Sequence, residues 1–291
     1  MDVALTRAVA ELAGDGLEVV SSRPVGGGCI SEAAWVELSD GTSRFVKSSS
    51  LGVTDMYERE VEGLEALAAV GGVRVPRGAR AGRAGGRRFL LMEAIATGSA
   101  GAGFFRSFGR RLADLHRRSA GIRFGFAHDN YIGATPQPNG WSHDWVDFFR
   151  RHRLGHQLDL ARRNGLADSE LSRLGDRLIE RLGEWLDLAD EPACLLHGDL
   201  WGGNFMVDCD GAPVLIDPAC YYGQREAELA MTRLFGGFEE DFYAAYDEAW
   251  PLPPGAAERT GIYKLYHLLN HLNLFGGSYR GQCVGLLKRL V

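Results

Sequence analysis

The sequence predicts an α+β chain in two lobes. Residues 1–95 form a small antiparallel sheet with a helix, residues 96–291 a larger and mostly helical lobe, and a hinge joins them at about 93–98. Three observations carry this. The first lobe is written in short strand-like runs separated by glycine turns. From Phe104 onward apolar residues recur at helical spacing, at 104, 105, 108, 112 and 115. Among those helical stretches stands one that is not helical, Leu195-Leu196-His197-Gly198-Asp199-Leu200-Trp201-Gly202-Gly203-Asn204, followed by the apolar run Val214-Leu215-Ile216 that delivers Asp217.

That stretch names a chemistry. His-x-Asp-x-x-x-x-Asn is the catalytic-loop spacing of kinase-type phosphotransferases: the aspartate takes the proton of the attacking hydroxyl and the asparagine holds magnesium. Asp199 is therefore the candidate base, and Asn204 and Asp217 are the candidate metal ligands. Asp217-Pro218-Ala219 stands where protein kinases carry Asp-Phe-Gly.

Bulk properties narrow the rest. With 291 residues, 45% hydrophobic and 24% charged, the chain reads as a soluble globular protein. A net charge of −6 argues against a nucleic-acid or anionic-membrane surface. The basic clusters Arg80–Arg88 and Arg150–Arg153 read as solvated faces. No run of 18 apolar residues is present and the N-terminus lacks signal-peptide features, so a cytoplasmic protein is expected. Five cysteines without C-x-x-C spacing point to free thiols. Of 32 basic residues only Lys47, Lys264 and Lys288 are lysine, so a lysine marks a place where arginine does not serve.

In chain order, residues 3–13 read as an amphipathic helix ending at Gly14, and 17–22 and 33–38 as strands. Between the strands lies Gly26-Gly27-Gly28-Cys29-Ile30-Ser31. Without side chains in the way, backbone N–H groups of such a loop approach phosphates closely. No Gly-Lys-Ser/Thr follows, so this is not a Walker loop. Gly27, Gly28, Cys29, Ile30 and Ser31 are expected to cover ATP phosphates. After the Asp40-Gly41 turn, Ser43–Lys47 is a strand ending in the rare lysine, the residue that grips the α- and β-phosphates. Thr54-Asp55 starts a helix in which Glu60 shares a face with Leu64 and Leu67; an inward carboxylate needs a partner, and Lys47 is the natural one. Glu58 and Glu62 are its rivals. Val73–Pro76 and Arg87–Ile95 complete the strands. Adenine is expected against Met92, bonded to the Glu93 and Ile95 backbone.

In the second lobe, Phe104–Arg117 is a helix whose His116 is structural. Residues 125–140 form a long polar loop, and its Asp129 and Asn130 are substrate-side candidates. Residues 141–188 return to helix, with Trp145, Phe148, Phe149, Leu154, Leu158 and Leu174 in the core. After Asp217 there is no long activation segment and no Ala-Pro-Glu, which speaks against an ordinary protein kinase. Residues 239–250 and 260–291 are helical.

His197–Asn204 and Asp217-Pro218-Ala219-Cys220-Tyr221-Tyr222-Gly223 resemble the signatures of the fructosamine kinases, or ketosamine-3-kinases, within the aminoglycoside and choline kinase clan of the protein-kinase-like fold. The resemblance continues through Gly27–Glu32, Asp129–Gly133, Phe148-Phe149 with His152-Arg153-Leu154, Glu228–Met231, Phe235–Phe238 and Asn270–Asn273. Gly203 departs mildly, standing where many members carry serine. The resemblance implies phosphorylation of the third-carbon hydroxyl of a ketosamine, with ATP and Mg2+, and release of the amine as deglycation repair. It implies Asp199 as base, Asn204 and Asp217 on magnesium, and Lys47 with Glu60 on ATP. Trp201 offers a flat face to a sugar ring. A small-molecule or protein-bound ketosamine is the expected partner, and a monomer or weak homodimer the expected state. Alternatives are a kinase of an aminoglycoside or aminoalcohol, or a nucleotide-binding pseudokinase. Cys29, a thiol in an anion-attracting loop, is a candidate redox-sensitive residue.

Overall fold

The computed structural model describes residues 1–26, 31–50, 55–188 and 191–291. They divide into two compact units, Met1–Phe104 with Phe205–Pro218 and Phe105–Asn204 with Ala219–Val291. The first thus runs past residue 95 and takes in a later hairpin.

The first unit opens with α1 (Val3–Ala13), whose first turn is capped by Asp2 accepting the Leu5 N–H at 2.8 Å. Strands β1 (Val19–Val25), β2 (Glu32–Leu38) and β3 (Ser43–Ser50) follow, then α2 (Met56–Val70), β4 (Arg80–Ala84) and β5 (Arg87–Glu93). The sheet is antiparallel, in the order β1-β2-β3-β5-β4. Leu5 and Val9 of α1 pack on Val36, Leu38, Val46, Phe89 and Leu91, all buried. Each such side chain contributes about 1.5–3 kcal/mol by leaving water. Side chains alternate along a strand, so Lys47 and Leu90 point away from that cluster.

One strand differs from expectation. Val73–Pro76 makes only a single parallel bridge, Arg74 with Val214, whereas the fifth strand is β4, inside the Arg80–Arg88 run read as a solvated basic face. Gly82 explains the pairing: a Cβ there would come within 2.5 Å of the Phe89 ring, so the bare backbone makes room for that ring.

The second unit begins along α3 (Phe104–Arg118). Its polar loop is a small hairpin rather than irregular, β6 (Asn130–Ile132) with β7 (Thr135–Gln137). The helical region is broken into α4 (Trp145–Phe149), a π-helical turn (Arg150–Gly155), α5 (His156–Arg163), α6 (Ser169–Glu180) and α7 (Gly183–Leu186). The six expected core residues are all buried. Arg153 is buried too, while Arg151 stays exposed, so only part of the Arg150–Arg153 run is a solvated face.

Next comes β8 (Cys194–Leu196), after which the chain leaves for the first unit and forms the hairpin β9 (Phe205–Val207) and β10 (Pro213–Leu215). It returns to pair β11 (Tyr221–Gly223) with β8. The helices α8 (Arg225–Thr232), α9 (Glu240–Ala249), α10 (Ala256–Phe275) and α11 (Arg280–Leu290) close the unit. Among the described residues no helix is long and apolar enough to cross a membrane.

Candidate active site

In the first unit, β3 brings Lys47 to face α2. Its Nζ donates to Glu60 Oε1 at 2.7 Å and to Asp217 Oδ1. Burial alone would lower the ammonium's pKa, but the Glu60 and Asp217 carboxylates outweigh it and hold Lys47 well above its ordinary value, so it stays charged. Burial pushes the Glu60 carboxyl up, and the Lys47 ammonium pulls it back. The rival glutamates lie elsewhere: Glu58 receives Arg88 at 3.1 Å, and Glu62 receives Arg59 at 2.7 Å.

Asp217 sits just past β10 at φ 57°, the one non-glycine residue with positive φ among those described. Such a conformation is unfavourable for a side-chain-bearing residue and is retained where the surroundings require it, often at functional sites. Its side chain remains 45% exposed although Lys47 holds one oxygen.

Ser31 accepts a hydrogen bond from the Tyr57 hydroxyl at 2.7 Å, tying the end of the glycine loop to α2. Gly27, Gly28, Cys29 and Ile30 lie outside the described residues. Met92 is buried opposite Phe45, on the sheet face that carries Lys47. The Glu93 N–H donates to Arg77 O at 2.9 Å, so a contact from Glu93 to a base must use its carbonyl. The Glu93 carboxylate takes Arg74 at 2.6 Å and the Arg77 N–H at 3.0 Å; Arg74 also holds Asp208 at 2.6 Å. Ile95 is buried.

In the second unit the loop His197–Asn204 follows β8. The Asn204 amide donates to Asp199 O at 2.8 Å and to Asp199 Oδ2 at 3.0 Å. The Asp199 N–H donates to His197 Nδ1 at 3.3 Å. Gly198, at φ 84°, is required: a Cβ would lie 2.1 Å from Ala219 O. Its neighbour His197 accepts the Ala219 N–H at 2.8 Å.

The loop is clamped by a residue to which the sequence reading gave no role. Glu228 of α8 is buried and accepts the backbone N–H groups of both His197 and Gly198. Behind it His116 bonds the Tyr246 hydroxyl at 2.8 Å, and burial holds its pKa down. α8 buries all eight of its residues, among them Glu226 and Glu228, and buried carboxylates need partners. Glu226 finds Arg259 at 2.6 Å.

Asn130 is part of a second buried network, which the exposed Asp129 joins at its edge. Asn130 donates to Cys220 O at 2.8 Å, and its own oxygen accepts from Gln137 and Asn139 at 2.8 and 2.9 Å. Gln137 also reaches Ala219 O at 3.0 Å, and Asp129 accepts the Asn139 N–H at 2.7 Å. Arg153, in the π-helical turn, donates to Asn139 Oδ1 at 2.8 Å and to Pro138 O at 2.7 Å, its guanidinium 3.9 Å from the Tyr221 ring centre. Asn130 therefore braces the segment after Asp217 instead of facing a substrate. Trp201 is 38% exposed and meets Phe235 edge-on at 6.2 Å.

The residues fit magnesium by chemistry. Asn204 has its nitrogen turned to Asp199, which leaves its oxygen as the donor it can offer, and Asp217 presents a half-exposed carboxylate. Amide and carboxylate oxygens are the donor types a hard cation takes.

Comparison with known proteins gives the family. The family profile described as fructosamine kinase matches residues 1–291. A probable ketoamine kinase of Synechocystis is 41% identical over 286 residues, covering 98% of this chain and 95% of that protein. The chloroplastic protein-ribulosamine 3-kinase of Oryza sativa subsp. indica is 41% identical over 276 residues, covering 94% and 80%. Among solved structures, a candidate fructosamine-3-kinase of Haemophilus somnus superposes with a TM-score of 0.88 at 28% identity, covering 99% of this chain and 97% of that one. An aminoglycoside phosphotransferase, at 15% identity and a TM-score of 0.61 over 94% and 95%, shares the kinase-like fold.

Proposed function

This chain belongs to the fructosamine kinase family, and on that premise we propose that it transfers the γ-phosphoryl group of ATP to the third-carbon hydroxyl of ketosamines, adducts of a sugar with an amine. Phosphorylation there makes the adduct labile, so the amine is released and the glycation reversed. The reading gives the first lobe ATP and the second the acceptor sugar, free or protein-bound, in a cytoplasmic monomer or weak homodimer.

The observation that carries the mechanism is the Asp199–Asn204 pair at 3.0 Å inside a loop whose backbone Glu228 clamps. Asp199 accepts the hydroxyl proton as the oxygen attacks phosphorus. Asn204 holds one carboxylate oxygen and thereby aims the other. Lys47, kept charged by Glu60, offers its ammonium to the ATP phosphates, and the Gly27–Ser31 loop covers them with backbone donors. Ser31, with the Tyr57 hydroxyl donating to it, keeps its own hydrogen for a phosphate oxygen. Met92 lines the base pocket, with the Glu93 carbonyl and Ile95 N–H as base-edge partners. Asn204 and Asp217 would hold magnesium, which when bound neutralises charge on the phosphates. Trp201 presents its face to the sugar.

ATP-dependent ADP release on ribulosyl-lysine, fructosyl-lysine, choline and an aminoglycoside, with Asp199→Asn as the blank, tests this. Turnover on ketosamines alone, lost in the variant, is expected. Turnover on choline or the aminoglycoside alone would overturn the substrate, and silence on all four with ATP bound would overturn the activity.

A further inference from the structure

Phe108, Phe148, Phe149 and Phe242 of the second unit are fully buried, but four of its large apolar aromatic side chains are exposed. Trp141 lies against Tyr222. Trp201 and Phe235, each 38% exposed, and Phe275, the last residue of α10 and 56% exposed, lie with His271 and Tyr279. These rings form one strip. Trp201 meets Phe235 at 6.2 Å, Phe235 meets His271 at 4.5 Å, and His271 meets Phe275 at 5.4 Å and Tyr279 at 5.2 Å. Burial lowers the pKa of His271, so the middle ring is neutral and flat, like its neighbours. The strip is built rather than incidental at its catalytic end. The Gly202 and Gly237 backbones touch so closely that a Cβ on Gly237 would lie 2.5 Å from Gly202 Cα, which fixes the Trp201 and Phe235 loops against each other.

One end of the strip is two residues from Asp199. A sugar ring covers about one aromatic side chain, and from Trp201 the strip runs on for four centroid steps of 4.5–6.2 Å. In a ketosamine the amine is attached two carbons from the reacting hydroxyl, so whatever the amine carries must emerge close to Asp199. An exposed apolar strip continuous with a catalytic loop is the mark of a ligand surface.

We infer that Phe235, His271, Phe275 and Tyr279 form a subsite beyond the ketosamine itself, for the peptide residue beside the glycated lysine, and that it selects peptides with an aromatic residue there. The inference rests on the ketosamine reading above. Aromatic contacts of this kind add specificity through stacking and burial, while the sugar and phosphate contacts are common to all adducts.

The test compares three substrates: free ribulosyl-lysine, a ribulosylated heptapeptide with Phe next to the modified lysine, and the same peptide with Ser there. Wild type should show kcat/KM about tenfold higher for the Phe peptide than for the Ser peptide. Phe275→Ala and Tyr279→Ala should abolish that preference through KM, leaving free ribulosyl-lysine within about twofold and the KM for ATP unchanged. Equal wild-type kcat/KM on the two peptides would overturn the subsite, as would a loss spread evenly over all three substrates. So would an unchanged preference in variants that instead lose a dimer on gel filtration, since the strip would then cover a second copy. A wild type silent on free ribulosyl-lysine would instead overturn the function itself, a distinct outcome.

Discussion

Lys47 in the first unit meets two carboxylates, Glu60 and Asp217, whereas Glu228 in the second meets two backbone N–H groups, those of His197 and Gly198. The first arrangement is charge against charge and keeps a buried ammonium charged. The second is charge against backbone and fixes the shape of a loop. A phosphate-gripping group has to adapt to its ligand, and an adaptable group is held best by other side chains. A proton-accepting aspartate has to stand in one place, and that is set by the course of the main chain beneath it.

The sharpest test of this difference is Asp199→Asn. The loop shape should persist, ATP should bind as before, and kcat should fall about a thousandfold with loss of the base; isothermal titration with ATP beside steady-state kinetics reads both. Lys47→Met should fail on both counts. It leaves Glu60 buried without its cation, and stability should fall by about 3 kcal/mol in urea unfolding. Adding Glu60→Leu should return most of that stability and none of the activity. If Lys47→Met is as stable as wild type, the pair is not the structural unit described here.

Glu228→Gln keeps size and one acceptor oxygen while removing the charge. It should cost about 2 kcal/mol in unfolding and lower kcat with little change in the KM for ATP. A change confined to the ATP KM would contradict the clamp. The remaining effect is in pH, and it is small near neutrality. Burial holds His267 down at about 3 in the folded chain, against about 6.5 when unfolded. Between those values the unfolded chain binds a proton that the folded chain refuses, so stability is full above pH 6.5 and falls on acidification by up to about 1.4 kcal/mol per pH unit. His116, also lowered by burial, adds in the same direction. His267→Leu should flatten the slope between pH 6.5 and 5 in thermal unfolding.

The same contrast explains what the sequence disclosed. Lys47 is legible because lysine is rare in this chain, and Glu60 because a carboxylate on an apolar helix face breaks the 3.6-residue pattern. The Asp199–Asn204 spacing is legible because the chemistry fixes it. Glu228 and Arg153 are not, because the backbone N–H groups that Glu228 holds and the ring face and neutral amide that Arg153 meets leave no complementary charge to find. Asn130 looked like a substrate contact for the same reason: a polar residue in a loop does not reveal that its bonds run to Cys220 O, Gln137 and Asn139. In the fold, β4 escaped because arginine, alanine and glycine are poor strand formers, and edge pairing with β5 and the space Gly82 leaves for Phe89 decide its state. The hairpin of β6 and β7 escaped because its strands are three residues each.

One measurement bears on the central claim most directly: the phosphorus NMR spectrum of the product formed from ATP and ribulosyl-lysine. A phosphate ester resonance coupled to the proton on the third carbon is expected, absent with Asp199→Asn although that variant still binds ATP. A phosphate on any other position, or the same product from the variant at wild-type rate, would contradict it.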